Sequence, residues 1–173
     1  MTHILIVGRN GVGKSTLIRA LLASAKAPVY GVITEKTEPM PDGSRPVCIR
    51  RFGEPKRFSE ESCVGLCRDG GSVAFPAAFD RFAQRLALPY DGVIIFDELG
   101  FMESDAQTFR AAVLKTLDEA PFVIAAVRDR QTAFLDAVRS HPRAKVFRID
   151  ESNRDDLRER LLRMLPELAP GLF

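Results

Sequence analysis

The chain has 173 residues, of which 46% are hydrophobic and 28% are charged. These values are ordinary for a globular protein, and the length is enough for a single domain, over residues 1–173, with its own core. The formal net charge is only +2, so charge alone indicates neither a nucleic-acid partner nor a membrane surface. No signal peptide precedes the first predicted strand, and no apolar run approaches membrane-spanning length, which predicts a cytoplasmic protein.

Cysteine usage gives little support to a zinc site. The chain has three cysteines, Cys48, Cys63 and Cys67. The last two form a C-x-x-x-C pair, but the sequence offers no second pair and no nearby histidine to complete four ligands. We therefore expect buried or half-buried free thiols.

A short apolar run at residues 4–7 ends in a glycine-rich turn, and a helical pattern follows at once. The turn has the spacing G-x-x-x-x-G-K-[ST] of a phosphate-binding loop, in the required context of a strand before and a helix after. Backbone N–H groups in such a loop form a nest for phosphate oxygens, and the N-terminus of the helix favours an anion. Lys14 is expected to reach the β- and γ-phosphates, and the Ser15 hydroxyl to bind Mg²⁺. The alternative is a glycine-rich turn that binds nothing.

The predicted phosphate-binding residues are those of the loop and of the first helical turn: Gly8, Arg9, Asn10, Gly11, Val12, Gly13, Lys14, Ser15 and Thr16. The helical pattern covers residues 14–25 and carries an apolar face of leucine and isoleucine. A continuous apolar run at residues 29–33 then predicts a buried parallel strand, with Thr34 and Glu35 at its carboxyl end.

Residues 36–75 interrupt the alternation of helix and strand. A turn-rich loop is followed by short β-like pieces at residues 47–49, 62–66 and 72–74, which predict an antiparallel hairpin or meander inserted into the α/β core. The insertion carries the cations Arg45, Arg50, Arg51, Lys56, Arg57 and Arg68. They fit a solvated strand face, or a flap that closes over a nucleotide.

The remainder of the chain alternates regularly. We predict helices over residues 77–88, 106–117, 131–139 and 154–165, and strands over residues 93–96, 122–127 and 145–149. This order predicts an α/β fold of three layers, in which a mostly parallel sheet lies between helices. Ligands of such sheets bind at the carboxyl ends of the strands.

Two acidic residues, Asp97 and Glu98, follow the apolar strand at residues 93–96. This is the Walker-B pattern, in which Asp97 would hold Mg²⁺ through its water shell alongside Ser15. A second carboxylate at the same edge can orient and deprotonate an attacking water. Glu98 therefore favours hydrolysis over simple binding.

Arg128 and Arg130 follow the strand at residues 122–127, again at the edge where ligands bind. Either could neutralise charge on a transferred phosphoryl group, and we take Arg128 as the catalytic candidate. A salt-bridged loop around Asp129 explains the same residues equally well.

Residues 153–156 match the N-[KR]-x-D pattern that reads guanine in small GTPases. Here three residues separate the pattern from its strand, and a helix begins at once. Ser152 or Asn153 as the N-cap, with Asp155 and Asp156 in the first turn, is the favoured interpretation.

With these residues in view, the chain resembles the THEP1-type nucleoside-triphosphatases, which are small P-loop enzymes. The resemblance rests on residues 8–16, 31–35, 96–103 with Phe109, and 153–155, and the run D-E-L-G-F-M-E is its discriminating part. It implies a RecA-like α/β fold and Mg²⁺-dependent hydrolysis of ATP, GTP and other nucleoside triphosphates to diphosphate and phosphate. It also adds Thr34, Glu35, Gly100 and Glu103 to the candidate site. Phe101 stands where the family usually has lysine, and Thr37 where it usually has arginine, so two cations near the expected phosphate site are absent.

Two other functions stay open. The length and the loop also fit a small nucleotide or metabolite kinase, with residues 36–75 as its lid, and the two departures fit a nucleotide-binding switch with little turnover. In each case the expected partner is a nucleoside triphosphate, and we expect a monomer or a weak oligomer.

Overall fold

The computed structural model describes residues 1–84, 86 and 91–173, and within these ranges it forms eight strands and five helices. The strands are β1 (His3–Gly8), β2 (Val29–Lys36), β3 (Arg45–Arg51), β4 (Cys63–Arg68), β5 (Gly71–Ala74), β6 (Val93–Leu99), β7 (Phe122–Arg128) and β8 (Ala144–Arg148). The helices are α1 (Lys14–Leu22), α2 (Pro76–Ala83), α3 (Gln107–Glu119), α4 (Ala133–Arg139) and α5 (Arg154–Leu168). None of these helices combines the length and the apolar character needed to cross a bilayer.

All the strands join one sheet, in the order β5-β4-β3-β2-β6-β7-β1-β8. Strands β2, β6, β7, β1 and β8 run parallel to one another. Strands β3, β4 and β5 extend the sheet beyond β2 by antiparallel pairing. The predicted α/β fold, a mostly parallel sheet with an inserted antiparallel meander, is thus confirmed. Because the five parallel strands share a direction, the segments that follow β1, β2, β6 and β7 meet at one edge.

The centre of the sheet is buried on both faces, as the three-layer prediction requires. Within β1, Ile4 and Ile6 pack with residues of α1 and α5, whereas Leu5 and Val7 belong to the cluster that includes residues of α2, α3 and α4. All four side chains are fully or almost fully buried. A central strand that is apolar on both faces is expected where helices cover both sides of a parallel sheet.

Gly31 brings β2 close to β6. Its φ is +130°, and a Cβ at this position would lie 2.0 Å from the carbonyl oxygen of Ile95. A side chain would therefore clash with β6 and would also strain the backbone. The tight pairing sets the distance between the carboxyl ends of β2 and β6, where Glu35 and Asp97 lie.

Several predicted boundaries were wrong by a few residues. Strand β2 continues to Lys36 because β3 pairs with its last residues, so Thr34 and Glu35 lie within the strand. Helix α1 ends at Leu22, and α4 begins at Ala133 because the Thr132 side chain accepts a hydrogen bond from the Leu135 amide. The predicted helix over residues 77–88 appears as α2, and its last part falls on residues 85, 87 and 88, outside the described residues.

Candidate active site

The loop between β1 and α1 has the backbone of an anion-binding turn. Gly11 and Gly13 take φ values of +76° and +108°, which side-chain-bearing residues rarely adopt. The first helical hydrogen bond runs from the Leu17 amide to the Gly13 carbonyl, and no side chain caps the N-terminus of α1. The amides of the first helical turn are therefore free to bind an anion.

Lys14 lies beneath this loop. Its side chain is almost fully buried, and Nζ donates hydrogen bonds to the carbonyl oxygens of Gly8 (2.8 Å) and Arg9 (2.6 Å). Nζ also lies 2.9 Å from Oε2 of Glu98. The buried ammonium is thus satisfied by the loop backbone and by a carboxylate from β6, as burial of a charge requires.

Ser15 and Asp97 meet at the mouth of the loop. The Ser15 hydroxyl donates a hydrogen bond of 2.8 Å to Oδ1 of Asp97, which projects from the end of β6. Burial raises the pKa of the Asp97 carboxyl, the Ser15 hydroxyl opposes that shift, and the charge of Glu98 adds to it. A cation beside Asp97 would favour the ionised form of the Asp97 carboxyl group.

The oxygens of Ser15 and Asp97 fit a small, hard cation. Mg²⁺ is usually held by one or two protein oxygens, with water and substrate phosphates completing its octahedron. Within the described part of the chain, no group of three or more histidine, cysteine, aspartate or glutamate residues could hold a metal by itself. The two oxygens therefore suit a metal that arrives with phosphate better than a metal resident in an all-protein cage.

Glu98 is held from two sides. Its Oε1 accepts hydrogen bonds from Nε (2.9 Å) and Nη2 (2.6 Å) of Arg128, while its Oε2 faces Lys14. Nη2 of Arg128 also lies 3.3 Å from Oδ1 of Asn10 in the loop. Arg128 therefore links the Glu98 carboxylate of β6 to the loop between β1 and α1.

Phe101 lies under two guanidinium groups. The centre of its ring is 4.8 Å from Cζ of Arg130 and 5.7 Å from Cζ of Arg128. Residue 101, which carries no charge of its own, therefore lies against two cations, one from the end of β7 and one from the segment after it. The sequence does not predict the contact between Phe101 and Arg130, because nothing in the spacing of these two residues indicates that they meet.

Glu103 is the most deeply buried carboxyl group of the site, with 2% of the residue exposed. Burial raises its pKa to about 7, the nearby Glu98 charge acts in the same direction, and hydrogen bonds from backbone amides oppose both. One of these amides is that of Gly100, which donates to Oε2 at 3.0 Å. The carboxyl group thus closes the turn at residues 100–103 that carries Phe101.

Glu35 is engaged by cations of the insertion. Its Oε1 lies 2.9 Å from Nε and 2.8 Å from Nη2 of Arg50, and its Oε2 lies 3.5 Å from Nζ of Lys56. Thr34 neighbours Glu35 in β2, whereas the Thr37 hydroxyl donates to the carbonyl of Pro46 at 3.2 Å. Two cations of the insertion, Arg50 and Lys56, therefore pair with Glu35, and Arg50 also lines the cavity of the candidate site.

A cavity of about 720 Å³ joins these groups. Ser15, Asp97 and Glu98 line one side of it, and Arg50 and Arg130 line other parts of its wall. Its volume falls within the range of small-molecule and cofactor sites.

Other predicted residues lie apart from this cluster. The Arg9 side chain is exposed and pairs with Glu151 at 3.3 Å, and Thr16 is exposed on α1. Asn153 occupies the N-cap position of α5, as one of the two predicted candidates, but its side chain makes no capping bond and instead accepts from the Asp150 amide and donates to the Arg148 carbonyl. The acids of the first turn, Asp155 and Asp156, are where the cap interpretation placed them.

Comparisons with known proteins agree over nearly the whole chain. A family model described as NTPase matches residues 3–162. Nucleoside-triphosphatase THEP1 from Thermotoga petrophila is 31% identical and aligns over 94% of this chain and 92% of its own length. The protein of the same name from Methanothermobacter thermautotrophicus is 32% identical, over 94% of this chain and 95% of its own length. The crystal structure of THEP1 from the hyperthermophile Aquifex aeolicus superposes with a TM-score of 0.68 at 25% identity, covering 94% of this chain and 98% of the other.

Proposed function

We propose that this chain, which belongs to the THEP1-type nucleoside-triphosphatase family, hydrolyses nucleoside triphosphates such as ATP and GTP to diphosphate and phosphate in an Mg²⁺-dependent reaction. Members of this family are hydrolases that act on a phosphoric anhydride. The observation that carries the proposal of Mg²⁺-dependent hydrolysis is the contact of 2.8 Å between the Ser15 hydroxyl and Asp97 at the mouth of the loop, with Glu98 beside it.

The triphosphate tail would lie on the amides of residues 8–16. Lys14 holds its ammonium under the loop through two carbonyl oxygens, so it needs only a small movement to donate to the β- and γ-phosphates. Phosphate oxygens compete with Glu98 for this ammonium. When phosphate oxygens bind the ammonium in place of Glu98, Oε2 of Glu98 loses its lysine partner and becomes available to a water molecule.

Ser15 and Asp97 would hold Mg²⁺, Ser15 directly and Asp97 through water. The ion supplies positive charge that offsets the charge of the phosphates and of the leaving diphosphate. The Ser15 hydroxyl already donates its hydrogen bond to the Asp97 carboxylate, which leaves the lone pairs of the hydroxyl oxygen available to the ion.

Glu98 would accept the proton of the attacking water. Arg128 binds the other carboxylate oxygen with two N–H groups, which fixes the plane of the carboxylate while leaving Oε2 to face the substrate. This geometry favours Arg128 as the residue that orients Glu98, rather than one that contacts the phosphoryl group directly.

The lesser candidates would act at the rim of the site. Glu35, with its paired cations, forms part of the cavity wall beside Thr34, and Gly100 and Glu103 form the turn that follows Glu98. We propose that these residues shape the space for substrate, since the carboxyl groups of Glu35 and Glu103 already have partners within the protein.

The proposal is tested by a phosphate-release assay with ATP, GTP, CTP and UTP, with and without Mg²⁺, and with no acceptor present. We expect release that depends on Mg²⁺ and that is lost in Lys14→Ala, because the ammonium under the loop is removed. Lys115→Ala is the matched control, since Lys115 lies on the surface of α3 and pairs with Glu119. Tight nucleotide binding with no release would contradict hydrolysis and select the switch, and release that needs an added acceptor would select the kinase.

A further inference from the structure

We propose that Arg130, held on the ring of Phe101, is a catalytic residue that contacts the terminal phosphoryl group during hydrolysis, and that Phe101 is its positioning residue. The inference rests on the proposed function, because it concerns the transition state of that reaction. It reverses the sequence-based choice between the two arginines that follow β7.

Arg128 is already committed to other partners. Two of its nitrogens donate to one oxygen of Glu98, and the same Nη2 approaches Asn10 at 3.3 Å. If Arg128 moved to a phosphate, Glu98 would lose the group that orients it. While Arg128 holds the general base in this way, it has only Nη1 left to offer the phosphoryl group, and its positive charge is already offset by the Glu98 carboxylate.

Arg130 is differently placed. Its guanidinium lies over the ring of Phe101 at 4.8 Å, and none of the salt bridges among the described residues involves it. A guanidinium that contacts a ring with its face keeps the N–H groups in its plane available to donate, and the described residues accept no hydrogen bond from the Arg130 guanidinium. These donors border the same cavity as Ser15, Asp97 and Glu98.

Both halves of this stack are anchored to the site. The Glu103 carboxyl closes the turn that carries Phe101, and the Ser104 amide donates to the Phe101 carbonyl at 3.2 Å. On the other side, the Asp129 amide donates to the Gly8 carbonyl at 3.2 Å, and the carbonyl of Arg130 accepts from Nη2 of Arg139 at 2.8 Å. The guanidinium is therefore kept near the phosphate-binding loop without being tied to a carboxylate.

The chemistry of the reaction calls for such a group. In phosphoryl transfer, charge is spread over the three equatorial oxygens of the transferred group, and an arginine that meets them raises the rate strongly. Water attacks phosphorus, the bond to the bridging oxygen breaks, and the electrons of that bond leave with the diphosphate. Arg130 would donate N–H groups to the equatorial oxygens and would exchange no proton.

The first test compares Arg130→Ala with the wild type in phosphate release and in ADP binding. We expect kcat to fall by about 10²–10³-fold, as for loss of a single preorganised donor, while the Kd for Mg²⁺–ADP changes by less than about twofold. Addition of aluminium fluoride to Mg²⁺–ADP should tighten binding to the wild type but not to the variant. Arg160→Ala is the matched control, because Arg160 lies on Phe147 at 5.3 Å in another part of the molecule.

The second test asks whether Phe101 acts through Arg130. Phe101→Leu keeps an apolar side chain but removes the ring, so kcat should fall by about 2–5-fold, whereas Phe101→Tyr should retain the wild-type value. In the Arg130→Ala background, Phe101→Leu should have no further effect. Urea unfolding of each variant checks that the folded state is retained.

The outcomes separate the two proposals. If the wild type releases no phosphate, the proposed function fails and this inference fails with it. If the wild type is active and Arg130→Ala has the same kcat, or loses ADP affinity as much as kcat, the inference fails and the proposed function stands. An equal effect of Phe101→Leu in both backgrounds would show that Phe101 acts independently of Arg130.

Discussion

Neutralising the buried carboxyl of Glu103 is expected to stabilise the protein at alkaline pH. Burial is the main reason that the pKa of Glu103 rises to about 7, from an ordinary value of 4.5, and the charge of Glu98 adds to the shift. Amide hydrogen bonds, among them that of Gly100, and the charge of Arg128 oppose it. The balance indicates that the folded protein holds the neutral acid more readily than the carboxylate.

The sign of the pH dependence follows from this shift. At pH values below the pKa of Glu103 in the unfolded chain, the carboxyl group is protonated in both the folded and the unfolded state. It then does not lower the free energy of unfolding. As the pH rises from there to about 7, the unfolded chain loses the proton that the folded chain keeps, so the free energy of unfolding falls. Above that range both states are ionised and the full cost remains, which is about 3 kcal/mol for a shift of this size. This is a substantial part of a typical stability of about 5–15 kcal/mol.

The assay is urea unfolding of the wild type and Glu103→Gln at about pH 5.5 and about pH 8.5. Glutamine keeps the oxygen that accepts from the Gly100 amide, so the change removes mainly the charge. The advantage of the variant should grow by about 2 kcal/mol between the two conditions. Glu119→Gln, on the exposed face of α3, should show no such growth. A difference between variant and wild type that does not change with pH would refute the burial argument.

Three further changes test the site and the sheet. Glu98→Gln should retain nucleotide affinity and lose phosphate release, and normal release would remove Glu98 from the role of base. Asp97→Asn keeps an acceptor for the Ser15 hydroxyl but loses the charge, so half-maximal activity should need about tenfold more Mg²⁺; an unchanged requirement would place the metal elsewhere. Gly31→Ala should lower the free energy of unfolding by about 3 kcal/mol or more, because its Cβ would meet the Ile95 carbonyl at 2.0 Å. A urea midpoint equal to that of the wild type would contradict this estimate.

Features set by short stretches of sequence could be predicted. The phosphate-binding loop is determined by residues close together in the chain, because two glycines, a lysine and a serine at fixed spacing leave few backbone conformations. The position of Asp97 follows from the apolar strand before it and from the rule that ligands bind where parallel strands end. The contact between Ser15 and Asp97 is the product of these two local patterns brought together by the sheet.

Features that depend on distant partners could not be predicted. The sequence shows that residue 101 lacks a positive charge, but only the fold shows that the guanidiniums of Arg128 and Arg130 lie over its ring. The pairing of Glu35 with Arg50 depends on the register between β2 and β3, which the turn-rich loop before β3 does not reveal. The side chain of Asn153 is a local exception, because it binds the Asp150 amide and the Arg148 carbonyl only a few residues before it, and the N-cap pattern does not reveal this choice.

The way charges are paired explains why substrate could rearrange this site at low cost. Lys14 is buried and pairs with the half-buried Glu98, and a buried charge that loses its partner is strongly destabilising. A triphosphate avoids that loss, because Lys14 would exchange one anion for another while Glu98 keeps its bond to Arg128. No charge is left alone at any stage of this exchange. Under the proposed function, the extra negative charge of the phosphates would be met by cations that no carboxylate already holds, such as a metal ion at Ser15 and Asp97 and the guanidinium of Arg130.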